Sequence, residues 1–158
     1  MEFQPALPRL ELLYRASITV AAPQLFGPTP QAGGERRIIN ITGGEFNGAR
    51  LKGAVLEGGA DWQVIRADGV AQLEARFTMR TDDGALLYVR NFGYRHGAPE
   101  VIARLFSGEV VDPATYYFRM TPLIETGDPR YAWLNSMILV GSGMRTKTHV
   151  IYDVYIVA

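Results

Sequence analysis

Between Asp61 and Arg90 the chain reads DWQVIRADGVAQLEARFTMRTDDGALLYVR, three alternating segments separated by two turns of one kind, Ala67-Asp68-Gly69 and Asp82-Asp83-Gly84. A three-residue hairpin loop with its last residue in the left-handed region forms a type I turn followed by a bulge. Only glycine takes that conformation without a penalty from Cβ. The turns therefore predict three consecutive antiparallel strands and fix their register. Arg66 falls opposite Val70, Thr81 opposite Ala85, Trp62 opposite Glu74, Thr78 opposite Tyr88 and Arg76 opposite Arg90. Because side chains alternate across a strand, the register also sorts them into two faces. One holds Ile65, Ala71, Leu73, Ala75, Phe77, Met79, Leu87 and Val89; the other holds Trp62, Glu74, Arg76, Tyr88 and Arg90.

The remaining segments extend the same pattern. Leu10–Ala21 alternates as a strand with Leu12, Tyr14, Ala16, Ile18 and Val20 on one side, and residues 24–34 read as a Pro/Gly-rich loop. Arg36–Thr42 and Ala49–Leu56 are two further strands, with Gly43-Gly44 as the turn between them. Residues 99–108 form the one helix: Pro99 suits the first helical position, Glu100 the positive end of the dipole and Gly108 the stop. Strands return at Thr115–Leu123, Tyr131–Gly141 and His149–Val157. The fold class is all-β, an antiparallel barrel of about eight or nine strands with one short helix that flanks or plugs it. At 158 residues this is one domain, 1–158, large enough to bury its own core.

Composition excludes several functions. Sixteen basic and sixteen acidic residues cancel, and no Lys/Arg cluster marks a phosphate-backbone footprint, so nucleic acid is not an expected partner. There is no cysteine, which removes disulfides, thiolate catalysis and Cys-based zinc sites. The two histidines, His96 and His149, lie outside any two-histidine ligand motif, so neither a metal nor another cofactor is expected. No apolar run approaches the ~20 residues of a membrane helix, and no leader is recognisable at the N-terminus. A cytoplasmic protein without a membrane partner is the expectation.

Five motifs, GGADWQ (58–63), RTDDGALLYVR (80–90), YYFR (116–119), PRYAWLN (129–135) and DVY (153–155), occur in an order that resembles the DUF3237 family of small bacterial proteins. The resemblance covers most of the chain from Arg36 onward. It implies a closed or nearly closed antiparallel barrel that assembles with copies of itself. It implies no catalytic residue, because the family is named for lacking an assigned function.

Candidate sites follow from the two faces, and the pattern leaves two arrangements open. In one, the apolar stripe points inward and the polar stripe is a solvated, cross-strand-paired surface. In the other, the polar-aromatic stripe lines a cavity, joined by Tyr117, Arg119, Tyr131, Trp133 and Asn135 at matching parity. Aromatic walls with a few convergent polar groups are the usual composition of a small-molecule site, and the outward apolar stripe would then require a homo-oligomer. On that arrangement Glu74, Tyr88 and Tyr117 are the catalytic candidates, Glu74 as a desolvated acid or base and the tyrosines as donors to developing negative charge. Trp62, Arg76, Arg90, Arg119, Tyr131, Trp133 and Asn135 are the ligand-binding candidates. The chemistry is cofactor-free proton transfer beside a carbonyl of an aromatic or polyketide-like compound, as in an isomerase, cyclase, lyase or lactone hydrolase. The alternative is a barrel that binds such a ligand unchanged, or a purely structural one. His96 satisfies the start of the helix, and Asp82-Asp83 are turn residues.

Overall fold

The computed structural model describes residues 1–158 and places both hairpin glycines in the left-handed region, Gly69 at φ 84° and Gly84 at φ 94°. The predicted loop-closing hydrogen bonds are present, from Arg66 N–H to the Val70 carbonyl and from Thr81 N–H to the Ala85 carbonyl. The strands are β1 (Leu10–Val20), β2 (Gln24–Thr29), β3 (Gly34–Asn47), β4 (Lys52–Val55) and β5 (Ala60–Ile65), then β6 (Ala71–Thr81) and β7 (Leu86–Gly97). Helix α1 (Pro99–Phe106) leads to β8 (Tyr116–Glu125), β9 (Leu139–Arg145) and β10 (His149–Val157). Thr78 pairs with Tyr88 and Arg76 with Arg90, so the β6–β7 register follows from its turn.

All pairing is antiparallel, and β1 bonds to both β10 and β3, which closes the sheet on itself. Around the ring the order is β1-β10-β9-β8-β7-β6, with β4 and β5 laid end to end between β6 and β3. The result is a closed barrel of eight positions, and β2 is an additional strand on the outer part of β3.

Three local expectations are corrected. Gly43-Gly44 is no turn: β3 runs through it, with φ of 149° and 139°. A Cβ on Gly44 would lie 2.3 Å from the Ser17 carbonyl oxygen. Glycine thus lets β3 bend against β1 at the point where its partners change from β2 and β5 to β1 and β4. The expected loop at 24–34 contains strand β2, which tolerates Pro28 because it lies at an edge. The expected strand at Tyr131 is instead a 3-10 segment, Pro129–Ser136, started by Asp128, whose side chain accepts from Arg130 N–H, and by Pro129 in the first position. The alternation in YAWLN imitates a strand, whereas the Asp-Pro pair before it is a helix start.

The apolar stripe of the meander points inward, with Leu73, Phe77, Met79, Leu87 and Val89 buried. Tyr116, Phe118 and Met120 of β8 join it. A bulge between Leu12 and Tyr14 turns Leu13 and Tyr14 both inward and leaves Leu12 exposed, so the β1 stripe starts later than its sequence suggests. The two barrel ends differ. At one, Tyr14, Phe46, Met79 and Leu87 pack solidly beneath Leu134 of the 3-10 segment. At the other, α1 lies over the opening with Leu105 buried. No helix is long and apolar enough to cross a membrane.

Candidate functional site

Inward parity carries five polar side chains into an otherwise apolar barrel. Asp61 and Gln63 come from β5, Asn91 and Arg95 from β7, and Arg145 from the end of β9. With Tyr152 of β10 they line a cavity of about 50 Å³, whose remaining wall includes Ile18, Ile41, Phe77 and Phe118. Ala75 and Gly93 are the small inward residues that leave the space open. Toward α1 the same two arginines also line a wider recess of about 360 Å³ under Ile102 and Phe106, with Arg37 at its rim. The inner cavity and the recess thus meet at Arg95 and Arg145.

Asp61 is held on two sides. Gln63 Nε2 donates to its Oδ2 at 2.8 Å, and the Glu74 backbone N–H donates to its Oδ1 at 3.0 Å. Burial pushes its carboxyl above the ordinary 3.8, against the opposing pull of the Gln63 hydrogen bond and the Arg95 charge. Arg95 is pushed down to about 10, first by burial and then by the charge of Arg145, while Asp61 works the other way. Arg145 is lowered chiefly by burial. A guanidinium is so weak an acid that it keeps its charge in proteins at neutral pH. Tyr152 is raised well above its ordinary value by burial. Gln63 Oε1, Asn91 Oδ1 and the hydroxyls of Tyr14 and Tyr152 are buried without a hydrogen-bond partner. Native interiors satisfy nearly all such atoms, and three of these four, on Gln63, Asn91 and Tyr152, belong to residues that line the cavity. No three His, Asp or Glu side chains converge in the fold, and a single carboxylate among guanidiniums suits an anion better than a cation.

The residues predicted from the polar stripe lie on the outside. Glu74 and Arg76 pair at 2.9 Å with 55% and 53% of their side chains in solvent, so the burial expected of Glu74 is absent. Glu74, Arg76 and Arg90 do come together, around a shallow outer depression. Tyr117 and Arg119 share an outer groove of about 500 Å³ with Phe92 and Tyr94. His96 stacks on Tyr117 at 4.8 Å, and the helix start at Ala98 has no side-chain cap. Trp62 is exposed, and Tyr88 stands on the same outer face opposite Thr78. Tyr131, Trp133 and Asn135 sit at the solid end in structural contacts. The Tyr131 hydroxyl donates to the Asp83 carboxylate at 2.9 Å, Arg50 stacks on Trp133 at 3.7 Å, and Asn135 accepts from Thr126 N–H at 2.9 Å. Asp153 also faces outward, paired with Arg15. The cavity arrangement is therefore corrected: the inward apolar stripe displaces these ten residues from the interior. It also removes the outward stripe from which self-association was expected.

Four of the five interior residues left a trace in the parity of their strands. Asp61 and Gln63 share the face of Ile65, and Asn91 and Arg95 continue the face of Leu87 and Val89. A charged or amide side chain on an apolar stripe is the informative exception.

A family model described as "Protein of unknown function (DUF3237)" matches residues 8–157. The chain belongs to the DUF3237 family. A UPF0311 protein of Rhodopseudomonas palustris is 43% identical over 148 residues, 94% of this chain and 97% of that protein. Among solved structures, a β-barrel-like protein of Acinetobacter baumannii superposes with a TM-score of 0.86 at 44% identity, covering 99% and 100% of the two chains. A barrel of similar fold occurs in a fungal protein described as an enzyme from Penicillium herquei, with a TM-score of 0.72 over 100% of both chains at 20% identity. That likeness shows a shared fold.

Proposed function

We propose that the interior is the site of a small-molecule-binding barrel that performs cofactor-free acid/base chemistry beside a carbonyl. The observation that carries the proposal is Asp61, a carboxyl raised by burial and facing a cavity with orphaned hydrogen-bonding atoms. A carboxylate whose pKa is raised by burial is a stronger base than an exposed one. In the proposed step the Asp61 carboxylate takes a proton from carbon adjacent to a ligand carbonyl. The C–H bond breaks, O–H forms on Asp61, and the electron pair moves onto the carbonyl oxygen as an enolate. Tyr152, whose hydroxyl has no partner, donates to that oxygen. Returning the proton to a different atom completes an isomerisation; attack of the enolate carbon on a second carbonyl of the same molecule, whose C=O π bond breaks and whose oxygen takes the proton from Asp61, completes a cyclisation; expulsion of a β-substituent that leaves with that proton completes an elimination.

The apolar wall and the recess under α1 suit an aromatic or polyketide-like body behind the carbonyl. The fungal enzyme of the same fold is compatible with catalysis in this barrel and says nothing about its residues, because one fold hosts many chemistries.

The test is hydrogen exchange in D2O. Neutral aryl ketones, acetophenone and 1-indanone, are incubated with wild type, Asp61→Asn and Tyr152→Phe, and deuterium uptake beside the carbonyl is followed by NMR. Wild type is expected to accelerate exchange at least tenfold over buffer, with that acceleration lost in Asp61→Asn and weakened in Tyr152→Phe. Acceleration that survives Asp61→Asn rejects the mechanism. Binding without exchange leaves the ligand-binding barrel alone.

A further inference from the structure

Arg95 and Arg145 are 5% and 6% exposed. Neither guanidinium makes an ion pair or side-chain hydrogen bond within the protein: the one side-chain partner in this neighbourhood, the Tyr116 hydroxyl, accepts from the backbone N–H of Arg145. Arg95 has only a distant approach to the Phe118 ring, 5.7 Å to its centroid. Asp61, the nearest carboxylate that could neutralise them, is already engaged by Gln63 Nε2 and the Glu74 N–H. Buried charges in folded proteins are paired, so two buried and unpaired guanidiniums mark a place where charge from outside the chain completes the structure.

The charge balance narrows the ligand. With Asp61 ionised, as the proton transfer proposed above requires, the two guanidiniums leave one positive charge within the barrel. Arg37 at the rim is taken up elsewhere, by Glu35 at 3.5 Å and by the Phe106 ring of α1 at 4.3 Å. A monoanion therefore neutralises the interior, whereas a phosphate dianion overshoots it and brings more hydration into an apolar wall. The planar guanidinium fork matches two coplanar oxygens. We propose that the ligand of this barrel is a carboxylate, gripped by Arg95 and Arg145 where the inner cavity meets the recess under α1. This deepens the interior-site reading and rests on it. The carboxylate anchors the molecule at the arginines, and its carbonyl-bearing part reaches inward to Asp61 and Tyr152.

The test compares benzoate with benzamide, its neutral isostere, and with inorganic phosphate, by calorimetry at constant ionic strength. Wild type is expected to bind benzoate at least tenfold more tightly than either of the others. Arg95→Met and Arg145→Met should each weaken benzoate at least tenfold and leave benzamide unchanged. Arg95→Lys, which keeps the charge and loses the fork, should fall between. Without ligand the Met variants should melt above wild type, since each removes a buried unpaired charge. Equal binding of benzoate and benzamide, tighter binding of phosphate, no binding of benzoate to wild type, or Met variants that bind benzoate as wild type does would each overturn the proposal. Exchange of the aryl ketones through Asp61 uses neutral probes, so its outcome stands apart from all of these.

Discussion

At the scale of single residues, the interior is arranged against its own stability. Asp61 has a folded-state pKa raised above the ordinary 3.8. Its favourable contribution is complete below that value and is lost as pH rises through the raised one. Asn keeps an acceptor for the Glu74 N–H and removes the ionisation. Asp61→Asn is therefore expected to melt close to wild type near pH 3.8 and progressively above it as pH rises to neutrality. Asp68, Asp128 and Asp153, whose pKa values are lowered by arginine partners, titrate alike in both proteins and cancel in the difference. Paired melts across that range check the prediction, and a difference that does not change with pH would show Asp61 to be free of the burial invoked here. Such residues were legible in the sequence only as exceptions. The density of Trp62, Glu74, Arg76, Tyr88 and Arg90 on one stripe attracts attention, yet charged and aromatic side chains are what an outer strand face normally carries. Asp61, Gln63, Asn91 and Arg95 stand singly among aliphatic neighbours on the opposite stripe. Nothing in periodicity says which isolated polar residue faces a cavity; closure of the barrel decides that.

At the scale of elements, local turn chemistry was the part of the sequence that specified structure most directly. Two Asp-Gly loops fix three strands and their register, and Pro99 with Gly108 brackets the helix, whose stop has Gly108 at φ 91°. Where local signals compete, tertiary pairing wins. Gly43-Gly44 has turn composition but follows β1 through a bend, and residues 24–29 have loop composition but find an edge on β3. The Asp-Gly loops yield a sharp expectation. Around Gly84 a Cβ would meet nothing within 4 Å, so any cost of substitution comes from its φ of 94° alone. Gly84→Ala should cost about 1–2 kcal/mol in urea unfolding. Gly84→Asn should cost clearly less, because Asn tolerates the left-handed region. Equal costs for the two would mean that the loop is held by something other than its dihedral angle.

At the scale of the whole molecule, the barrel has one packed end and one end that holds a cavity of about 50 Å³. Leu87 is fully buried in the solid end with Met79 and Phe46. Leu73, though 5% exposed, borders the cavity and so lacks partner atoms on one side. A buried leucine cut to alanine costs about 2–5 kcal/mol, the amount rising with the contacts it leaves and the void that cannot collapse. Leu87→Ala is expected near the upper part of that range and Leu73→Ala near the lower. The two should also separate in a second property. Leu87→Ala should leave ligand affinity unchanged, because the solid end touches no part of the site. Leu73→Ala enlarges the cavity wall and should change which ligand body is accepted while the charge preference set by Arg95 and Arg145 persists. Urea melts of both variants, alone and with benzoate, measure these effects together. If Leu73→Ala proved as costly as Leu87→Ala, the space around Asp61 would be as tightly packed as the opposite end, and the interior could no longer be the ligand site. The expected inequality would instead mean that the chain leaves the wall around Asp61 less tightly packed than the opposite end, beside two unpaired arginines whose burial an incoming anion would offset.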